Sequence, residues 1–160
     1  MPSAIYPGTF DPITNGHLFV IRRAIKIFDP LTIAVTDNIY KHPLFTIEER
    51  MDLIKQVTAD LPNVRVQSFS GLLVDFAVKV KANVMIRGLR EPNDFLSEYQ
   101  MALMNRLQRE EIETVFMVSS ADFNFVSSSL IKEIAQLGGD IHLVVPACVV
   151  EALKIKFRSV

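Results

Sequence analysis

Short apolar runs rich in β-branched residues alternate with amphipathic stretches along the whole chain. This alternation constrains the fold more than any other feature. Ala4–Pro7, Leu31–Thr36, Val64–Phe69, Val84–Arg87 and Thr114–Val118 have the length and composition of buried strands. Between them, apolar residues recur at helical spacing. His17–Phe28 puts Val20, Ile21, Ala24, Ile25 and Phe28 on one stripe and ends at Asp29-Pro30. Thr46-Ile47-Glu48-Glu49 reads as a capping box, and the helix it opens carries Ile47, Met51, Ile54 and Val57. Leu72, Phe76, Ala77 and Val80 mark a third helix. Phe95–Arg109 makes a fourth, with Phe95, Tyr99, Ala102 and Leu103 on one side. Ser127–Leu137 makes a fifth, stopped by Gly138-Gly139, and Ala147–Phe157 a sixth.

Strand–helix alternation of this kind dictates right-handed βαβ units. The expected fold is therefore α/β: a single Rossmann-like domain over 1–160, with a five-stranded parallel sheet and helices on both faces. No repeat, low-complexity segment or linker-like stretch marks a second domain. No apolar stretch approaches the ~18 residues of a membrane span, and the N-terminus lacks a signal-peptide pattern, so a soluble cytoplasmic protein is expected. A formal net charge of −1 gives no general attraction to nucleic acid, which leaves only a local anion site. Cys148 is the only cysteine and reads as a small buried hydrophobe. His17, His42 and His142 are scattered, so no metal-ligand cluster is expected.

In a parallel sheet every strand-to-helix loop emerges at one edge, where ligands bind. The unusual residues of this chain lie there. In Pro7–His17, Gly8 permits a sharp turn or close backbone approach and Asp11-Pro12 favours another turn. Thr14 or Asn15 is the expected N-cap, which puts His17 in the first helical turn beside free N–H groups. Two readings of His17 remain at this point: an anion-facing imidazole, or a solvated or packed ring at a helix start. Val126-Ser127-Ser128-Ser129 opens the fifth helix with three hydroxyls suited to a polyphosphate, although one serine alone would be an ordinary cap. Arg87 and Arg90 flank Gly88 at a strand end and are placed either to clamp phosphate oxygens or to pair with Glu91 or Asp94. Lys41 and Glu98 alone read as surface charges. The segment matches neither a dinucleotide fingerprint nor a P-loop, and no nucleophile elbow or Cys–His pair is present. The inventory suits phosphate chemistry run by positioning and charge stabilisation.

Pro7-Gly8-Thr9-Phe10-Asp11-Pro12 followed by Thr14-Asn15-Gly16-His17 resembles the signature of the nucleotidylyltransferase superfamily. Arg87-Gly88-Leu89-Arg90 and Val126-Ser127-Ser128-Ser129-Leu130-Ile131-Lys132 narrow the resemblance to the bacterial phosphopantetheine adenylyltransferases. It extends through Phe45–Arg50, Met104-Asn105-Arg106 and Gly139-Asp140. The resemblance implies transfer of AMP from ATP to 4′-phosphopantetheine, giving dephospho-CoA and pyrophosphate, by in-line attack without a covalent intermediate. It implies that His17, with Thr9, stabilises charge on the α-phosphate. Lys41 and Arg87 would hold the phosphate of the acceptor, Leu73 would line its pantetheine arm, and Thr9 would count among the residues that bind this substrate. It assigns Thr9, Phe10, His17, Gly88, Leu89, Arg90, Glu98, Phe123, Asn124, Phe125, Val126, Ser127, Ser128 and Ser129 to the ATP site. Mg²⁺ would arrive with ATP, CoA or dephospho-CoA would bind as product or feedback ligand, and the chain would form a homohexamer. Met101, Met104 and Leu107 then read either as subunit contacts or as core. Two positions depart from the family's usual pattern: Ser97 replaces an aromatic residue, and Phe123 stands for Trp or Tyr. The rival readings are a related enzyme acting on nicotinamide mononucleotide or using a cytidylyl donor, and a non-catalytic nucleotide-binding module.

Overall fold

A computed structural model describes residues 1–37 and 42–158. Five strands, β1 (Ala4–Gly8), β2 (Leu31–Thr36), β3 (Val64–Phe69), β4 (Val84–Leu89) and β5 (Glu113–Val118), form one sheet in the order β3-β2-β1-β4-β5. Every pairing is parallel; Ala4 faces Leu31 on one side and Val84 on the other. The helices are α1 (Asn15–Ala24), α2 (Ile47–Val57), α3 (Leu73–Lys79), α4 (Pro92–Gln108), α5 (Ser128–Gln136) and α6 (Ala147–Arg158). The expected α/β fold is thus observed.

The handedness of the crossovers explains which face each helix covers. From β1 the chain steps outward to β2 and β3, then returns to β4 beside β1 and steps the other way to β5. Right-handed connections running in opposite directions must cross on opposite faces. Val20, Ile21 and Ala24 of α1 and Leu53 and Ile54 of α2 accordingly pack with Ala4, Tyr6, Leu31, Ile33, Val35 and Ile86 on one face, joined by Ile131 of α5 and Leu153 of α6. Ile5, Ala34 and Met85, one residue out of phase, point to the other face and meet Val74, Phe76 and Ala77 of α3. The period-two alternation along β1, β2 and β4 therefore divides the core in two.

Element ends shift for local reasons. Helix α1 stops at Ala24, four residues before the expected end, and Phe28 still reaches the core from the following turn. Helix α4 begins at Pro92 instead of Phe95. The Asp94 carboxylate accepts from the Glu91 N–H at 3.4 Å there, and proline at the first position leaves no N–H to satisfy. The core reading of Met101, Met104 and Leu107 is corrected: α4 buries no residue, and these three are 54%, 54% and 77% exposed. Phe95, Leu96, Tyr99 and Leu103 are also exposed, so the helix presents a broad apolar surface. Cys148 is half-buried, with the full depth expected of it taken by Val149 and Val150. Among the described residues no helix is long and apolar enough to cross a membrane.

Candidate active site

The sheet order reverses between β1 and β4, so the loops after these strands diverge and leave a crevice at their C-terminal ends. A cleft of about 570 Å³ occupies this position, closed on the far side by the start of α5. Its walls include Thr9, Phe10, His17, Arg87, Gly88, Arg90, Glu98, Phe123, Val126 and Ser127–Ser129. The expected site residues from four separated segments therefore converge. Leu89, Asn124, Phe125 and Leu73 lie outside its wall; Phe125 is 62% exposed, and Leu73 starts α3 and packs against the second core. Lys41 lies outside the described residues.

The opening of α1 fixes the histidine. Thr14 is the N-cap and its hydroxyl accepts from the His17 N–H at 3.3 Å. In the usual capping box a Glu or Gln at the third helical position reaches back to the N-cap N–H. Here the imidazole does so: the Thr14 N–H donates to His17 Nδ1 at 3.0 Å, and Thr14 Oγ1 lies 3.1 Å from the same nitrogen. An Nδ1 that accepts carries no proton, so the neutral ring holds its proton on Nε2. Burial holds the His17 pKa down to about 4, with the positive charge of Arg90 acting in the same direction. The ring is packed edge-on by Phe10, centroids 5.1 Å apart, with Tyr6 at 6.5 Å. His17 is consequently a neutral, orientated N–H donor at ordinary pH. The ring is both packed and on the cleft wall: capping occupies Nδ1 and leaves Nε2–H without a partner among the described residues.

The two arginines are engaged differently. The Arg87 guanidinium donates from Nε and Nη2 to the two carboxylate oxygens of Glu98, both at 2.6 Å, and from Nη1 to the Pro7 carbonyl at 3.2 Å. A guanidinium has five N–H donors, so two remain for an anion while the carboxylate fixes the fork. Burial pulls the Arg87 pKa down, but the Glu98 hydrogen bonds and charge outweigh it and raise the value, keeping the cation charged. Arg90 pairs with Asp94 at 3.3 Å and reaches the Val126 carbonyl at 3.4 Å, linking the β4–α4 loop to the start of α5. Of the two pairings considered from sequence, that of Arg90 with Asp94 is realised. Arg87 instead chooses Glu98, one turn further along α4.

The serines also divide their work. Ser127 is the N-cap of α5, its hydroxyl accepting from the Leu130 N–H at 3.1 Å. Ser128 donates to the Pro12 carbonyl at 2.8 Å. One turn on, Lys132 donates to Asp11 at 2.5 Å. The buried Asp11 carboxylate also accepts from the Leu44 and Phe45 N–H groups, each at 2.9 Å. Positions i and i+4 of α5 thus fasten consecutive residues of the β1–α1 loop, and Asp11 ties in the β2–α2 loop. Asp11, Lys132, Tyr6, His42 and Ser119 all line the cleft and were not expected as site residues. Ser128 and Lys132 at helical spacing were the available signal for the first pair. Tyr6 sits under the floor, where burial raises its hydroxyl to about 12 against the opposing pull of Arg87 and Arg90.

Every acidic side chain on the cleft wall has a basic partner: Asp11 has Lys132, Asp94 has Arg90, and Glu98 has Arg87. Uncommitted donors on the wall include His17 Nε2, two Arg87 N–H groups and the helix start at Ser128 and Ser129. A donor-rich cleft at a sheet switch point is built for an oxyanion, and for one with several oxygens.

The chain matches the cytidylyltransferase-like family over residues 5–134. It is 51% identical over 154 residues to a protein of Syntrophotalea carbinolica named phosphopantetheine adenylyltransferase, covering 96% of this chain and 93% of that one. Identity is 52% over 146 residues, 91% of both chains, to the protein of that name from Moorella thermoacetica. It is 50% over 159 residues, 99% of both, to that from Caldanaerobacter subterraneus subsp. tengcongensis. The chain belongs to the phosphopantetheine adenylyltransferase family. The relatives are matched through all the segments that build the cleft, since the shared region spans both β1 and α5.

Proposed function

We propose that this protein transfers AMP from ATP to 4′-phosphopantetheine, giving dephospho-CoA and pyrophosphate. The observation that carries this reading is His17 Nε2–H, locked in one tautomer on a donor-lined cleft, in a chain sharing half its residues with proteins of that name. A phosphate oxygen of the acceptor attacks the α-phosphorus of ATP, a new P–O bond forms, and the bond to the β-phosphate oxygen breaks. Pyrophosphate leaves in line with the attack. Charge on the α-phosphate oxygens meets the His17 donor and Thr9 as it develops, which is electrostatic stabilisation by groups already in place. Because His17 is neutral, it donates a hydrogen bond and does not transfer a proton. Arg87, held by Glu98, and Lys41 take the acceptor phosphate, with Leu73 beside the pantetheine arm. Thr9, Phe10, Gly88–Arg90 and the segment from Phe123 to Ser129 take ATP. The reaction needs positioning and charge, and the cleft offers both.

Mg²⁺ fits as an ion chelated by the phosphates, since each cleft carboxylate is already committed to a basic side chain. Bound there, it would neutralise charge on the leaving pyrophosphate. We further propose a homohexamer in the cytoplasm, regulated by CoA or dephospho-CoA in the same cleft. The exposed apolar surface of α4 supports assembly of several copies. The alternative, a cytidylyl donor or a nicotinamide mononucleotide acceptor, is tested directly. Pyrophosphate release is measured with ATP or CTP against each acceptor, and only the pair ATP with 4′-phosphopantetheine should turn over. Release with another pair and none with this one would replace the reading.

A further inference from the structure

Arg50 is the one charged residue of the described chain that is essentially inaccessible, at 1% exposure, and the expected site does not include it. It projects from the first turn of α2 between the ends of β1 and β2. Nη1 donates to the Thr9 carbonyl at 2.8 Å and to the Thr36 carbonyl at 3.0 Å, and Nε to the Thr46 carbonyl at 3.3 Å. In a planar trans peptide the C=O and the following N–H point in opposite directions. Anchoring the Thr9 carbonyl to a buried guanidinium therefore turns the Phe10 N–H away from Arg50, in a loop whose Thr9 and Phe10 line the cleft. That N–H has no acceptor among the described residues. Phe10 itself has φ +49°, a conformation that a bulky residue adopts only where its surroundings impose it. Its ring is buried against Tyr6 and His17, so the strained residue is held at both ends: by packing of its ring, and by Arg50 through the preceding carbonyl.

We propose that Arg50 is a positioning residue for the transfer, holding the Thr9–Phe10 peptide so that the Phe10 N–H is presented to phosphate in the cleft. The proposal rests on the adenylyl-transfer reading for its kinetic consequence, but not for its structural one. Arg50→Met keeps the length and apolar stem and removes the donors. On the scale of a lost or misplaced transition-state donor, kcat should fall about 30-fold or more, with ATP affinity changed less than about threefold. A residue that merely stabilised the fold would not produce that split in correctly folded enzyme. The structural consequence is read with ¹⁵N-phenylalanine-labelled protein titrated with inorganic pyrophosphate. The Phe10 amide should shift strongly in the unaltered protein and little in R50M. Arg50→Lys keeps the charge on one nitrogen but loses the fixed guanidinium plane and the Nε bond to the Thr46 carbonyl; it should give an intermediate kcat and carries the test if R50M does not fold. Wild-type kcat in R50M or R50K, or an unchanged Phe10 response in R50M, would overturn the proposal. If the unaltered protein released no pyrophosphate from ATP and phosphopantetheine, the transfer reading would fail, while the amide titration would still decide the role of Arg50.

Discussion

Replacing His17 by alanine tests both duties of the imidazole, because the stability change it causes should reverse sign with pH while the loss of turnover should not. At pH 7.5 the ring is neutral and its Nδ1 satisfies the Thr14 N–H. Its removal should cost about 1 kcal/mol of stability, the typical value of a helix-start contact. The wild-type protein, however, holds this histidine at a pKa of about 4 against the usual 6.5. Below pH 6.5 the unfolded chain binds a proton that the folded chain does not, so wild-type stability falls on acidification and continues to fall to about pH 4. At about 1.36 kcal/mol per pH unit the loss reaches about 2 kcal/mol by pH 5. The H17A chain lacks this penalty. Urea unfolding at one subunit concentration should find H17A less stable than wild type at pH 7.5 and equal or more stable at pH 5.0. In the same preparations kcat at pH 7.5 should drop roughly 10²-fold or more through loss of the Nε2 donor. An H17A deficit of the same size at both pH values would refute the buried, neutral imidazole. Near-wild-type turnover would remove His17 from the chemistry.

Other substitutions probe the rest of the cleft. A Cβ added at Gly8 would lie 2.9 Å from the Phe10 ring, so Gly8→Ala should destabilise by about 1–3 kcal/mol in thermal unfolding and lower kcat by displacing the loop. Glu98→Gln takes the charge from the partner that fixes Arg87; KM for phosphopantetheine should rise about tenfold with ATP binding changed less than twofold, read by steady-state kinetics and calorimetry. A loss confined to ATP would instead put Glu98 in the nucleotide site alone. Lys41→Ala should impair use of phosphopantetheine far more than ATP binding, which competition binding checks.

The sheet and its helices were legible because burial marks the sequence: short continuous apolar runs for β1 and β2, which are covered on both faces, and a period of three to four for α1 and α2. The gathering of His17, Arg87, Arg90 and Ser127–Ser129 was legible because a parallel sheet sends every such loop to one edge. What escaped was the partnership of groups far apart in the chain. Asp11 and Lys132 are 121 residues apart and Arg87 and Glu98 are 11 apart, and neither pairing leaves a periodic trace. Arg50 takes no site role from the sequence, and only the fold shows it turned inward between two strand ends. The exposed apolar face of α4 had the opposite fault: its spacing is that of a core helix, and only the sheet's coverage by α3 and the short contact with Phe116 reveals that most of it faces outward. The His17 cap was readable in principle, since Thr14 and His17 have capping-box spacing, but imidazole is not the residue that pattern leads one to expect.

The step that decides the function is direct transfer of AMP between two bound phosphates in this cleft. Its most direct measurement follows pyrophosphate and dephospho-CoA together, with Mg²⁺ present, first with ATP alone and then after addition of 4′-phosphopantetheine. Direct transfer gives no pyrophosphate before the acceptor is added and equal amounts of the two products afterwards. Pyrophosphate released from ATP alone would contradict direct transfer, and no dephospho-CoA after addition would contradict the assigned reaction itself.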